Sequence, residues 1–131
     1  MKSHYLDIVR GNEAAIEYNL KQFSSSEHIM YGAYGYPDYA NNAVPIETMA
    51  SGYYCSDSKF YHDKNLLYIM NCLIDYLYSA QREDYTVDNR ESDYKCGPIL
   101  ISIYLVRAYR IMKKYAVSED EIALRDKLFE Y

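Results

Sequence analysis

The side chains best suited to chemistry crowd into Gln81–Gly97, QREDYTVDNRESDYKCG, a polar stretch between two hydrophobic segments. Asp84, Asp88, Glu91 and Asp93 offer carboxylates in pairs. Acid/base work on a glycosidic bond needs two such groups, one with a raised pKa and one ionised. The same carboxylates also suit solvation or capping of the next helix, and the sequence leaves both roles open. Arg90, flanked by Asp88, Asn89 and Glu91, carries the planar fork that grips a carboxylate or adjacent hydroxyls bidentately; a local ion pair is its other outlet. A connection this long inside a compact domain is either functional or disordered. Tyr85, Tyr94 and the tight Gly97-Pro98 helix entry favour a binding rim.

A second rim is Met30–Asn42, MYGAYGYPDYANN, with Tyr31, Tyr34, Tyr36 and Tyr39 set among glycines and a proline. Tyrosine rings in such a loop stack on sugar rings while their hydroxyls bond outward, or they plug the end of a bundle. Asn41 and Asn42 would neutralise a carboxylate or bond sugar hydroxyls; turn formation and helix capping are the structural alternative. His28 and His62 lie near the rims, each a candidate general base or an ordinary surface or capping histidine. No Walker loop, dinucleotide fingerprint or nucleophile elbow is present.

These rims must be positioned by helices, because apolar spacing is helical throughout. The first helix is expected from about His4 to Phe23, burying Leu6, Val9, Ile16, Leu20 and Phe23; Gly11 weakens it by about 1 kcal/mol relative to alanine. Ser24-Ser25-Ser26 ends it. The second is expected to start near Pro45, a good first-turn residue, and to end near Gly52. Leu66, Ile69, Met70, Leu73 and Leu77 repeat with helical spacing and predict the third. The fourth, Pro98–Tyr115, is apolar all round its first half and should be surrounded by other helices. Arg107, Arg110, Lys113 and Lys114 gather at its C-terminal end, where the helix dipole favours cations. Ser118-Glu119-Asp120-Glu121 is a capping box that opens the fifth. The fold class is therefore all-α, about five helices in a single domain spanning 1–131.

Composition narrows the function classes. Half of the 131 residues are hydrophobic, enough for a packed core without disulfides. Cys55, Cys72 and Cys96 follow no metal-ligand spacing, so neither zinc nor any other cofactor is expected, and reduced thiols suit a cytoplasmic location. The N-terminus lacks the apolar run of a signal peptide, and no segment reaches membrane-spanning length. A net charge of −5 disfavours nucleic acid as a partner. Eighteen tyrosines against three phenylalanines and no tryptophan mean many rings with a hydroxyl that needs water or a partner.

Particular residues add a resemblance. Gly35-Tyr36-Pro37-Asp38-Tyr39-Ala40-Asn41-Asn42 precedes one buried helix. Asp57-Ser58-Lys59-Phe60-Tyr61 precedes an amphipathic one, which Ala80-Gln81-Arg82-Glu83-Asp84-Tyr85-Thr86-Val87-Asp88 follows. Ser92-Asp93-Tyr94-Lys95-Cys96-Gly97-Pro98 leads into the next buried helix. Over roughly residues 30–115 this pattern resembles the N-terminal part of an (α/α) toroid of the heparinase II/III-like, polysaccharide-degrading proteins. Where that family's turn carries glycine, this chain has Tyr85.

The resemblance implies helical hairpins of a partial toroid, with further helix pairs and the catalytic part beyond residue 131. It also implies a saccharide cleft, for an acidic sugar, built from loops preceding the inner helices. Tyr36, Tyr39, Asn41, Asn42, Asp88, Arg90, Asp93 and Tyr94 would line it. The implied activity is that of part of a polysaccharide lyase or glycoside hydrolase, with no complete catalytic set in these residues. The alternative is a noncatalytic helical module for protein interaction or self-assembly, which would complete its core by self-association.

Overall fold

A computed structural model describes residues 2–31, 39–81 and 97–131. In chain order these form α1 (Lys2–Gln22), a hairpin of β1 (Phe23–Ser24) and β2 (Ile29–Met30), then α2 (Tyr39–Tyr54), α3 (Lys64–Ala80), α4 (Gly97–Tyr115) and α5 (Glu119–Glu130). The all-α class holds, with the short antiparallel hairpin added.

The hairpin is a local consequence of the polar Ser24-Ser25-Ser26 turn. Phe23 pairs with Met30 and Ser24 with Ile29, and the His28 N–H closes the turn on the Ser24 carbonyl at 2.8 Å. His28 takes φ 59°, left-handed backbone that few non-glycine residues adopt. Asn42 then ties this hairpin to α2. Its Oδ1 accepts the Met30 N–H at 2.9 Å and its Nδ2 donates to the Met30 carbonyl at 3.2 Å.

Two sequence expectations, one about a helix limit and one about burial, are corrected. α2 begins six residues before Pro45, which sits inside the helix rather than in its first turn. Ala43, Ile46, Met49, Ala50 and Tyr53 form one continuous buried face, and contacts with α1, α3 and α4 outweigh the cost of about 3 kcal/mol for an internal proline. Leu6 is exposed rather than buried, because the first turns of α1 overhang the end of α2. There Tyr5 lies against Cys55, the residue just beyond that helix. The stripe of α1 that does bury is Val9, Glu13 and Ile16, with Leu20 and Phe23 packed partly against the core.

Helix directions can be read from side-chain pairs. Glu47 lies 3.7 Å from Arg107 midway along α2 and α4, and Tyr54 stacks on Tyr115 at their C-terminal ends. The two helices therefore run side by side and parallel. On α5, Glu121 lies by His62 and Lys127 by Asp75, so α5 runs with α3. α3 returns antiparallel to α2, and α5 returns antiparallel to α4, with Tyr109 meeting Phe129. The result is an inner pair, α2 and α4, backed by α3 and α5, with α1 antiparallel on the flank of α2.

α4 departs from the expectation that it is surrounded. Ile101, Leu105, Ala108 and Met112 are buried, while Ile103 and Val106 are 42% and 52% exposed. Its inward face packs on α2 and α5; its outward face is bare among the described residues. No helix among those residues is long and apolar enough to cross a membrane.

Candidate functional site

The best-defined polar constellation lies where the C-terminal end of α2 meets the starts of α3 and α5. Residues 55–63 pass from α2 to α3 through successive tight turns, closed by Ser58 N–H to Cys55 O, Tyr61 N–H to Ser58 O and Asp63 N–H to Phe60 O. Asp63 caps α3 by accepting the Asn65 N–H at 2.9 Å. Just before it, His62 adopts φ 52° and donates its backbone N–H to the Tyr53 carbonyl at 2.9 Å. That left-handed residue aims the imidazole back over α2, with ring centroids 5.0 Å from Tyr53 and 4.3 Å from Tyr61.

Opposite it, Ser118 caps α5. Its Oγ accepts the Glu121 N–H while Glu121 Oε2 accepts the Ser118 N–H, the reciprocal capping box expected from the sequence. Glu121 does more than cap. Its carboxylate is buried, Oε2 also accepts the Val117 N–H at 2.8 Å, and Oε1 accepts the Tyr53 hydroxyl at 2.8 Å. His62 Nδ1 sits 3.7 Å from Oε1, close enough for electrostatics and too far for a hydrogen bond.

Burial, the largest influence on Glu121, pushes its pKa up. The Val117 N–H, the Tyr53 hydroxyl, the Ser118 N–H and nearby His62 together overcome this and hold the carboxyl below its ordinary range. Tyr53 is driven the other way, first by burial and then by its bond to the Glu121 carboxylate, so its hydroxyl stays protonated. Burial and the Glu121 charge do the same to Tyr54, whose buried hydroxyl has no hydrogen-bond partner among the described residues.

Tyr53, His62 and Glu121 border a cleft of about 510 Å³ between α3 and α5. Lys64, Leu67, Tyr68 and Asn71 contribute from α3, Asp120 and Lys127 from α5. Lys127 Nζ is oriented by Asp75 at 2.8 Å and by Asn71 Oδ1 at 3.3 Å. A second concavity of about 340 Å³ lies beyond Tyr68, against His28, Cys72 and Asp75. Tyr68 borders both and is half exposed, with its ring edge-on to His28 at 6.2 Å. Such a place suits binding better than turnover: the carboxylate is fully engaged and the phenol beside it holds its proton. Among the described residues no three His, Cys, Asp or Glu side chains gather to hold a metal ion.

Most residues singled out in the sequence fall elsewhere. Tyr36, Asp88, Arg90, Asp93 and Tyr94 lie outside the described residues. Tyr39 opens α2 and Asn41 is half-buried in its first turn. Asn42 is fully buried, and both functions of its amide bond the Met30 backbone, which gives it a structural task. Of the residues at the cleft, His62 was visible as a histidine near a loop and Glu121 as a cap. Nothing in the spacing signalled that Tyr53, Tyr68, Asn71 and Lys127 would join them, since those contacts cross between α2, α3 and α5. No family model, curated protein or solved structure matches the chain.

Proposed function

We propose that this chain is a segment of a carbohydrate-active (α/α) toroid that binds a saccharide at the N-terminal end of α2 and α4. The observation that carries the reading is the layering. Two inner helices run parallel, and the helices outside them, α1, α3 and α5, all run the opposite way. Parallel neighbours put the first residues of α2 and α4, Tyr39 and Gly97, at one end, where helix dipoles present positive charge. Tyr36, Tyr39, Asn41, Asp88, Arg90, Asp93 and Tyr94 belong to the segments that enter those helices and are the contacts in this reading, with an acidic sugar favoured by Arg90 and the helix ends. Asn42 is dropped from the contact set because its amide serves Met30. The free thiols Cys55 and Cys72 suit the cytoplasmic location that belongs to the same reading.

Isothermal titration with acidic oligosaccharides tests it, using the wild type, Tyr36→Ala and Arg90→Ala. Binding that both substitutions weaken, with little or no turnover, is the expected outcome; binding indifferent to both would end the proposal. A second reading, a noncatalytic self-assembling module, draws on the exposed apolar flank of Ile103, Val106 and Phe129. Light scattering separates the two: a stable monomer that binds no hydrophobic dye removes the second.

A further inference from the structure

The cleft between α3 and α5 lies at the opposite end of α2 from the rim just discussed, and it has a chemistry of its own. Its volume of about 510 Å³ is within the range of small-molecule sites. Two cations, Lys64 and Lys127, face two carboxylates, Asp120 and Glu121, and the neighbouring concavity adds Glu27 and Asp75, so nothing in the lining gives the groove a net positive field. A polyanion would gain little there. Tyr68 supplies a half-exposed flat face between this cleft and the neighbouring concavity. The two non-glycine residues with positive φ among the described residues, His62 and His28, border the two concavities, one each. Residues held in sparsely populated backbone conformations cluster at ligand sites, where the surrounding structure fixes them in advance.

We propose that these two concavities form one groove that binds a neutral oligosaccharide, with a sugar ring stacked on Tyr68 and its hydroxyls shared between Lys64 and Asp120. A sugar hydroxyl donates and accepts at once, so it is matched by a cleft that carries a donor ammonium on one wall and an acceptor carboxylate on the other. The apolar face of a pyranose is matched by a tyrosine ring flanked by Leu67. The site goes beyond the rim reading and stands without it, since none of its residues belongs to the segments that enter α2 and α4.

The test is an NMR titration of isotopically labelled wild-type chain with maltohexaose, cellohexaose and xylohexaose, and with polygalacturonate as the charged comparator. At least one neutral probe is expected to shift amide signals around Tyr68 and Asp120. Tyr68→Ala should weaken that probe about tenfold, while Tyr68→Phe, which keeps the ring, should not. Circular dichroism confirms that both variants fold; Tyr68 is half exposed, so they should. Asp120→Asn provides an independent variant on the facing helix. The proposal is overturned if no neutral probe binds, if Tyr68→Ala leaves affinity unchanged, or if polygalacturonate displaces the neutral sugar from the groove. Binding lost on Tyr36→Ala yet retained on Tyr68→Ala would sustain the rim and sink the groove; the reverse pattern would do the opposite.

Discussion

Two buried glutamates organise two junctions of this molecule, and they do so differently. Glu13, on α1, accepts the Lys59 backbone N–H at 2.7 Å and pairs with Arg10 at 2.6 Å, one turn away on its own helix. Lys59 in turn reaches Glu17, so this one residue is stitched to α1 at two points. Among the described residues, no arginine or lysine forms an ion pair with Glu121. It is held by two backbone N–H groups and a phenol, with a half-exposed histidine alongside. A carboxylate neutralised by a full cation is a fastening. One stabilised by dipoles beside an open cleft leaves its surroundings available to a ligand, and this sets the α5 junction apart as a candidate site.

The largest expected effect breaks the second junction. Glu121→Ala removes the N3 half of the capping box and strands the Tyr53 hydroxyl in a buried place; urea unfolding should show a loss of about 2–4 kcal/mol. Glu13→Gln should lose less, because glutamine still accepts the Lys59 N–H. If the two substitutions prove equally damaging, the distinction drawn between them fails.

Gly52→Ala probes the packing at the α1 junction. A Cβ there would run into the side-chain end of Ile16 and come within 3.1 Å of Asn12 Oδ1, both from α1. Ile16 is itself fully buried, so a loss of about 1–3 kcal/mol is expected in the same measurement. Asp63→Ala removes only the cap of α3, and about 1 kcal/mol should go with it.

Acid sharpens the comparison. Both glutamates have folded pKa values below the ordinary 4.5, Glu13 chiefly through its bonds from the Lys59 N–H and Arg10. The unfolded chain therefore takes up protons first as pH falls below about 4.5, and the stability that ionisation contributes is lost through the depressed folded values. Urea midpoints followed from neutral pH down to about pH 3 should fall, and Glu121→Gln should flatten part of that slope. The smallest effect belongs to the exposed Arg107–Glu47 pair, where Arg107→Ala should change stability by less than about 1 kcal/mol.

The sequence revealed helices wherever one face is buried and the opposite one is wet. Leu66, Ile69, Met70, Leu73 and Leu77 announced α3, and Ser118 with Glu121 announced the start of α5. It misled where the environment is less simple. In the first six residues of α2, Asn41 and Asn42 read as turn or capping residues, and Pro45 drew the boundary inward. The hairpin was missed because two-residue strands carry no alternation. The parallel arrangement of α2 and α4 was not legible in local spacing; the Glu47–Arg107 and Tyr54–Tyr115 contacts supply it. The α3–α5 cleft was illegible for a different reason. Its members come from residues 53 to 127 and meet only through tertiary packing, to which local spacing is blind.

The bond between Asn42 and Met30 has a further consequence. A side-chain amide offers the same donor and acceptor as a peptide group, so Met30 is bound as though a third strand lay beside the hairpin. That imitation locks register: a shift of the hairpin by one residue would present Ile29 or Tyr31 to a group placed for Met30. The first turn of α2 and the open end of the hairpin are thereby set at a fixed offset, like two gears meshed by one tooth. Aspartate at position 42 would keep the shape and reverse the polarity of half the bond, leaving the Met30 carbonyl facing a carboxylate oxygen in a place sealed from water.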